Sequence, residues 1–279
     1  VASWDVEGGR SGVGVVFSGQ AVGGAVWPLI FQYSNESLGW RGTATWYGIA
    51  AIIMMLPLSL VFRRRYAAAA ASFNGPKRAP SSRPARHPAR TQIMLCAAVV
   101  GCCTAMSLPL AHIVAHASDL GHDEARGAEM LSVMLLGGAA SAFFAVGPLA
   151  QRLGSLRALF AFSFVQMLSM ALFSAVDGLL ALYAVSLLFG VGYGGILPCY
   201  PVIVRLLLPS SRAGRSTGVV LLFGGIGMAL GSYVGGVSYD LMDSYRPAFL
   251  ICTAANLANL VFVADLMRRT GETPQASAA

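Results

Sequence analysis

The sequence predicts an all-α membrane protein that crosses the bilayer eight times. Three observations predict it. Of 279 residues, 56% are apolar and 11% charged, with a mean hydropathy of +0.66, whereas a soluble domain carries about 25% charged residues. The apolar residues gather into eight runs, each near the length of about 20 residues that a helix needs to cross hydrocarbon. The basic residues fall on alternate loops, 16 on one side and 3 on the other. A sheet-based pore would need strands that alternate apolar and polar residues, and these runs do not alternate. Uninterrupted helices also satisfy every backbone polar group inside lipid.

The first run, Val13 to Tyr33, is diluted by Gly19, Gln20, Gly23, Gly24 and Pro28, but glycine is frequent in membrane helices because it permits close packing. Thr43 to Phe62 follows. These two make up a piece spanning residues 1–62. Residues 63–90 form a linker with Arg63, Arg64, Arg65, Lys77, Arg78, Arg83, Arg86 and Arg90 between Pro76, Pro80, Pro84 and Pro88. Proline at that density opposes helix, and the charges have no apolar face to pack against. A six-helix piece, 91–269, then contains Gln92 to Val114, Met130 to Leu149, Leu159 to Val176, Leu179 to Leu207, Gly214 to Tyr239 and Ala248 to Met267, with a tail at 270–279. Because Lys and Arg stay on the cytoplasmic side, the charge split puts both termini and the linker in the cytoplasm of a plasma or cell inner membrane.

The net charge of +7 does not indicate a nucleic-acid partner, because the basic residues sit between apolar runs and not on one folded face. Cys96, Cys102, Cys103, Cys199 and Cys252 lie in or at the ends of the runs as small packing residues, without the spacing of a zinc site. No metal or other cofactor is expected. The string from Phe189 to Gly195 resembles a nucleotide loop only superficially, since it lies inside an apolar span with no strand before it. An enzyme would need a nucleophile, acid or metal cluster at one depth, and none stands out.

Tyr193 and Tyr200 are seven residues apart, which returns them to within about 20° of one helix face. With Pro198 and Pro201 loosening the backbone they are candidates to line a substrate cavity, the alternative being packing or interfacial anchoring. Gln166, Gln92 and Asn256 are further polar candidates, or plain interhelical hydrogen-bond donors. His112 and His116, four apart, share a face with Asp119 three residues on; they suit proton or substrate gating, metal binding, or outer-loop structure. Arg205 near the inner end of its run either snorkels to lipid phosphates or caps a gate. Gly224, Gly227, Gly231 and Gly235 form a small-residue stripe for close helix packing.

Local patterns then become specific. Gly12 to Gly24 with Pro28 and the sequence Gly39, Trp40, Arg41, the stretch Phe189 to Pro201 with Arg205, and the glycines from Gly214 to Gly236 closed by Tyr239, Asp240, Ser244 and Tyr245 resemble the major facilitator superfamily. The branch resembled is that of monocarboxylate porters and oxalate-formate antiporters. The resemblance implies a partial major-facilitator fold corresponding to helices five to twelve, the first four being absent from this sequence. It implies secondary active transport of a small solute, with an organic anion and proton coupling as the branch's themes, by rocking of two bundles about a midplane site. It also makes the stripe on the eleventh-like helix a sliding surface between halves. His112 followed by Asp119 resembles the outer end of the seventh helix in these transporters.

Two features depart from the family pattern. The loop Gly147 to Gly154 has Gln151 where an acid is usual, leaving Arg152 and Arg157 as its anchors, and Arg152 as a gating candidate. Neither Met130 to Leu149 nor the run after Arg215 contains the basic residue that the branch uses to hold a carboxylate. Solute transport therefore leads, against the alternative of a non-transporting fragment or scaffold that needs a partner for the missing helices. Membrane lipids are expected partners; oligomeric state is not readable.

Val1 opens a polar stretch with Trp4, Asp5, Glu7 and Arg10 that lacks the basic start and apolar core of a signal peptide. Without an initiating methionine, the natural protein is expected to begin upstream. The intact mass of the endogenous protein from its native membrane should therefore exceed 29.1 kDa by roughly four helices and their loops; a mass of 29.1 kDa would support the short form.

Overall fold

The computed structural model describes residues 37–58, 87–209 and 212–270, with Gly23, Ile30, Ser34 and Leu60 besides. Apart from Gly23 and Ile30, the run Val13 to Tyr33 lies outside these residues, as do residues 63–86 of the linker, the tail from 271 and the side chains of Gly147 and Gln151. Of the described residues, 23–60 belong to one compact unit and 87–270 to the other. The first contains helix α1, residues 37–58, whose Ile52, Ile53, Met54 and Met55 are exposed.

The second unit is helical throughout: α2 (Pro88–Asp119), α3 (Glu124–Ala140), α4 (Val146–Leu153), α5 (Ser155–Phe173), α6 (Leu179–Leu207), α7 (Ala213–Met242) and α8 (Arg246–Thr270). Six helices among the described residues are long and apolar enough to cross a membrane, α3 counting through Ala145. Most extend beyond their apolar runs because backbone hydrogen bonding continues past the hydrocarbon: α2 begins with Pro88 at its first turn and ends at Asp119, outside the run Gln92 to Val114.

The order of packing makes α2 the central element. It touches α3, α7 and α8, while α5 packs on α6 and α8, and α6 on α3. Small side chains on every face suit α2 to this role, and 72% of its most apolar window is buried, against 28% for α7. Between α3 and α4, Ser141–Ala145 forms a π turn. Pro148 has no N–H to give to the Phe144 carbonyl, which favours such an opening. The Ser141 hydroxyl donates to Val191 O of α6 at 2.7 Å, and beyond the turn the chain packs on α5. Gly154, at φ 91°, then reverses the chain from α4 into α5.

Two apolar clusters fill the unit. One gathers Leu95, Cys102, Leu159, Ile196, Tyr200 and Val263; the other gathers Leu108, Ile113, Met134, Phe173, Phe189 and Phe249. A ladder of amides links α5, α8 and α2 near mid-helix. Asn256 Nδ2 donates to Ser163 O and to Gln166 Oε1, each at 3.1 Å; Asn259 Nδ2 donates to Asn256 Oδ1 at 2.9 Å; Gln166 Nε2 donates to Cys102 O at 3.4 Å. All three amide residues are fully buried, so each bond replaces one that water would have supplied.

Backbone proximity fixes the helix pairs. A Cβ placed on Gly194 of α6 would collide with the Gly138 backbone of α3. Gly194→Val is therefore expected to cost about 1–3 kcal/mol of overpacking or more, seen as a lower unfolding temperature in detergent. Gly178→Val, with nothing within 4 Å of the new Cβ, should leave it nearly unchanged; equal effects would contradict the α3–α6 packing.

Candidate functional site

The two ends of the six-span unit differ in charge. Gln92 of α2 donates to Ser216 O of α7 at 3.1 Å, so these helices run parallel from a common end. That end carries Arg90, Arg152, Arg157, Arg205, Arg212, Arg215, Arg268 and Arg269, with Asp265 its acid among the described residues. The opposite end carries Asp119, Asp123, Glu124, Glu129, Asp177, Asp240 and Asp243, with Arg126 and Arg246. Both of those arginines are engaged, Arg126 with Glu129 at 3.0 Å and Arg246 with Asp177.

At the acidic end α2 and α7 are tied twice. His112 Nε2 meets Ser232 O at 2.9 Å, and the Tyr239 hydroxyl donates to Asp119 Oδ1 at 3.1 Å. The structure thus brings His112 and Asp119 onto one helix pair. Tyr245, in the turn before α8, stacks on Tyr239 at 4.9 Å and faces His112 at 5.2 Å. Its phenol is pushed above the usual range first by burial, then by the negative charge of Asp119.

From there an aromatic chain leads inward. His116, almost fully buried, lies edge-on to Phe249 at 4.9 Å; Phe249 stacks on Phe173 at 5.2 Å; Phe173 meets Phe189 at 6.5 Å; and Phe189 stacks on Tyr193 at 6.0 Å. Further polar ties close the rim: the Tyr183 hydroxyl donates to Glu129, joining α6 to α3, and His122 Nε2 contacts Asp177 O at 2.8 Å.

The other sequence candidates are scattered. Tyr193 is half-buried, its ring against Gly138 of α3. Tyr200 is fully buried, beside Cys102. Gln166 and Asn256 are bonded to one another in the amide ladder. Arg152 and Arg205 are exposed in the last turns of α4 and α6, at the basic end and away from His112. Gly224, Gly227, Gly231 and Gly235 are buried, and all four face α2: Cβ atoms at Gly231 and Gly235 would strike Thr104 O and the His112 ring. The stripe therefore packs within this unit, which differs from the expected sliding surface between halves. A small-residue stripe signals close approach but not the identity of the neighbour.

Phe249, the Asp177–Arg246 pair, Tyr239 and Tyr245 are the parts of this end that residue patterns do not single out as a site, whereas His116 is read with His112 from their shared helix face. The Tyr239 and Tyr245 motif is their sequence signal.

Over 162 residues the chain is 28% identical to Monocarboxylate transporter 13 of Rattus norvegicus, an alignment that takes in 56% of this chain and 36% of the relative. The chain thus spans little more than a third of that protein's length. A sequence profile of the Major Facilitator Superfamily matches residues 93–279, which include all but the start of the six-span unit. With well over half of the sequence matched, this chain belongs to the Major Facilitator Superfamily, a class of transporters and not of enzymes.

Proposed function

We propose that the chain supplies the second bundle, and the last two helices of the first, of an alternating-access transporter for a small organic anion. The observation that carries this reading is the six-span unit, of which the matched residues 93–279 include all but the start. The name of the rat relative, a monocarboxylate transporter, points to a monocarboxylate as the solute class. The linker 63–90 joins the two bundles in this reading, and the run Val13 to Tyr33 with that containing α1 completes eight spans.

Tyr193 is the cavity candidate with accessible surface; its hydroxyl would donate to a carboxylate where the bundle offers no Lys or Arg at mid-depth. Tyr200, Gln166 and Asn256, all fully buried, would serve the cavity by positioning α5, α6 and α8. His112 and Asp119 would gate the acidic end by tying α2 to α7, and Arg152 and Arg205 the basic end. Proton coupling belongs to this proposal through His112 and Asp119, the titratable pair on that helix interface.

In proteoliposomes of the full-length protein, a labelled monocarboxylate should accumulate under an inward proton gradient. Tyr193→Phe is expected to lower uptake about tenfold to a hundredfold, the value of one hydrogen bond to a charged group. Asp119→Asn and Tyr239→Phe should be non-additive, because each removes the same contact. Uptake of no monocarboxylate by folded protein would rule out the solute class, and additive effects would rule out the tie as the gate.

Charge sorting also assigns the basic end to the cytoplasm. Single-cysteine labelling from outside intact cells should modify a cysteine introduced at Asp243 and spare one at Arg269; the reverse pattern would invert the orientation.

A further inference from the structure

At the basic end, α2 and α8 meet along an antiparallel seam. Gly101 of α2 lies against the Ala255 carbonyl of α8. Arg90 is eleven residues before Gly101 and Asp265 ten residues after Ala255, so the seam carries both to the same level. The Asp265 carboxylate indeed lies in the field of Arg269, Arg90 and Arg268 together, and Arg269 Nε donates to Asp265 Oδ2 at 2.7 Å. Three guanidiniums with one carboxylate leave two positive charges in excess.

We propose that this seam binds the headgroup of an anionic phospholipid. Guanidiniums recognise phosphate oxygens with paired N–H groups, and the excess positive charge attracts an anionic phosphodiester. Asp265 holds Arg269 in place while leaving the cluster cationic. What selects a lipid over free phosphate is the apolar surface just inside the cluster. Ile93, 69% exposed, lies one turn in from Arg90; Val261, 61% exposed, lies two turns in from Arg268 on the same face of α8. Acyl chains following a headgroup held by the arginines would lie along these side chains.

The test uses the full chain in nanodiscs of phosphatidylcholine with a minor fraction of phosphatidylglycerol, and measures phosphatidylglycerol retained by the protein in native mass spectrometry. The readout is independent of transport. Retention should fall about fivefold per arginine removed across Arg90→Gln, Arg268→Gln and Arg269→Gln. Asp265→Asn should raise it, which keeps the proposal testable if the triple variant fails to fold. Arg212→Gln with Arg215→Gln, exposed at the same end at the start of α7, should change it little. Undiminished retention without the three arginines, an equal loss in the α7 control, a fall with Asp265→Asn, or displacement of the lipid by millimolar inorganic phosphate would each overturn the site.

Discussion

Helices in a bilayer gain little from burying apolar side chains against one another, because lipid tails are as apolar as leucine. The six-span unit therefore depends on how closely its backbones approach. Gly194 lies on Gly138, Gly190 on Met134, Gly101 on Ala255 and Gly231 on Thr104, and these contacts join α6 to α3, α8 to α2 and α7 to α2. Such approach increases dispersion contact between backbones and leaves no space that lipid would have to fill. The aliphatic side chains are abundant because the solvent is hydrocarbon, but the glycines decide which faces meet.

Polar groups are distributed by the same solvent. At mid-depth the polar side chains that link helices are uncharged: Gln166, Asn256 and Asn259 bond to one another and to two backbone carbonyls. Charge is confined to the ends, where water lowers its cost. One end holds a ring of arginines, with a single carboxylate among the described residues; the other is a rim of carboxylates in which Arg126, Arg246, Tyr183 and Tyr239 are all bonded to acids. His112 and Asp119 lie on the acidic end, where water can solvate groups whose contacts part.

The candidate residues divide according to how local their signal is. His112 and Asp119 were legible because both lie on one helix at helical spacing. The stripe Gly224 to Gly235 was legible as a close-packing face, but its neighbour, α2, is more than a hundred residues away in sequence. Gln166 and Asn256 read from sequence equally well as cavity donors or interhelical ties. Their mutual bond at 3.1 Å depends on the rotation of α5 and α8 about their axes, which hydropathy averaged around a helix does not contain. The Asp177–Arg246 pair was hidden for a similar reason, since each residue sits in a different loop.

The sequence by itself determined the six membrane-crossing helices of the second unit and the sorting of basic from acidic ends, because apolar stretches favour hydrocarbon and charged ones favour water. The π turn at Ser141–Ala145 required more than its neighbour Pro148 to foresee, since it also coincides with the chain's change of partner from α6 to α5. Only the tertiary structure decided that α2 is central, that the α7 stripe faces it, and that His116 joins an aromatic path leading to Tyr193. These are pairings between distant segments, fixed by the register and rotation at which small residues allow backbones to touch.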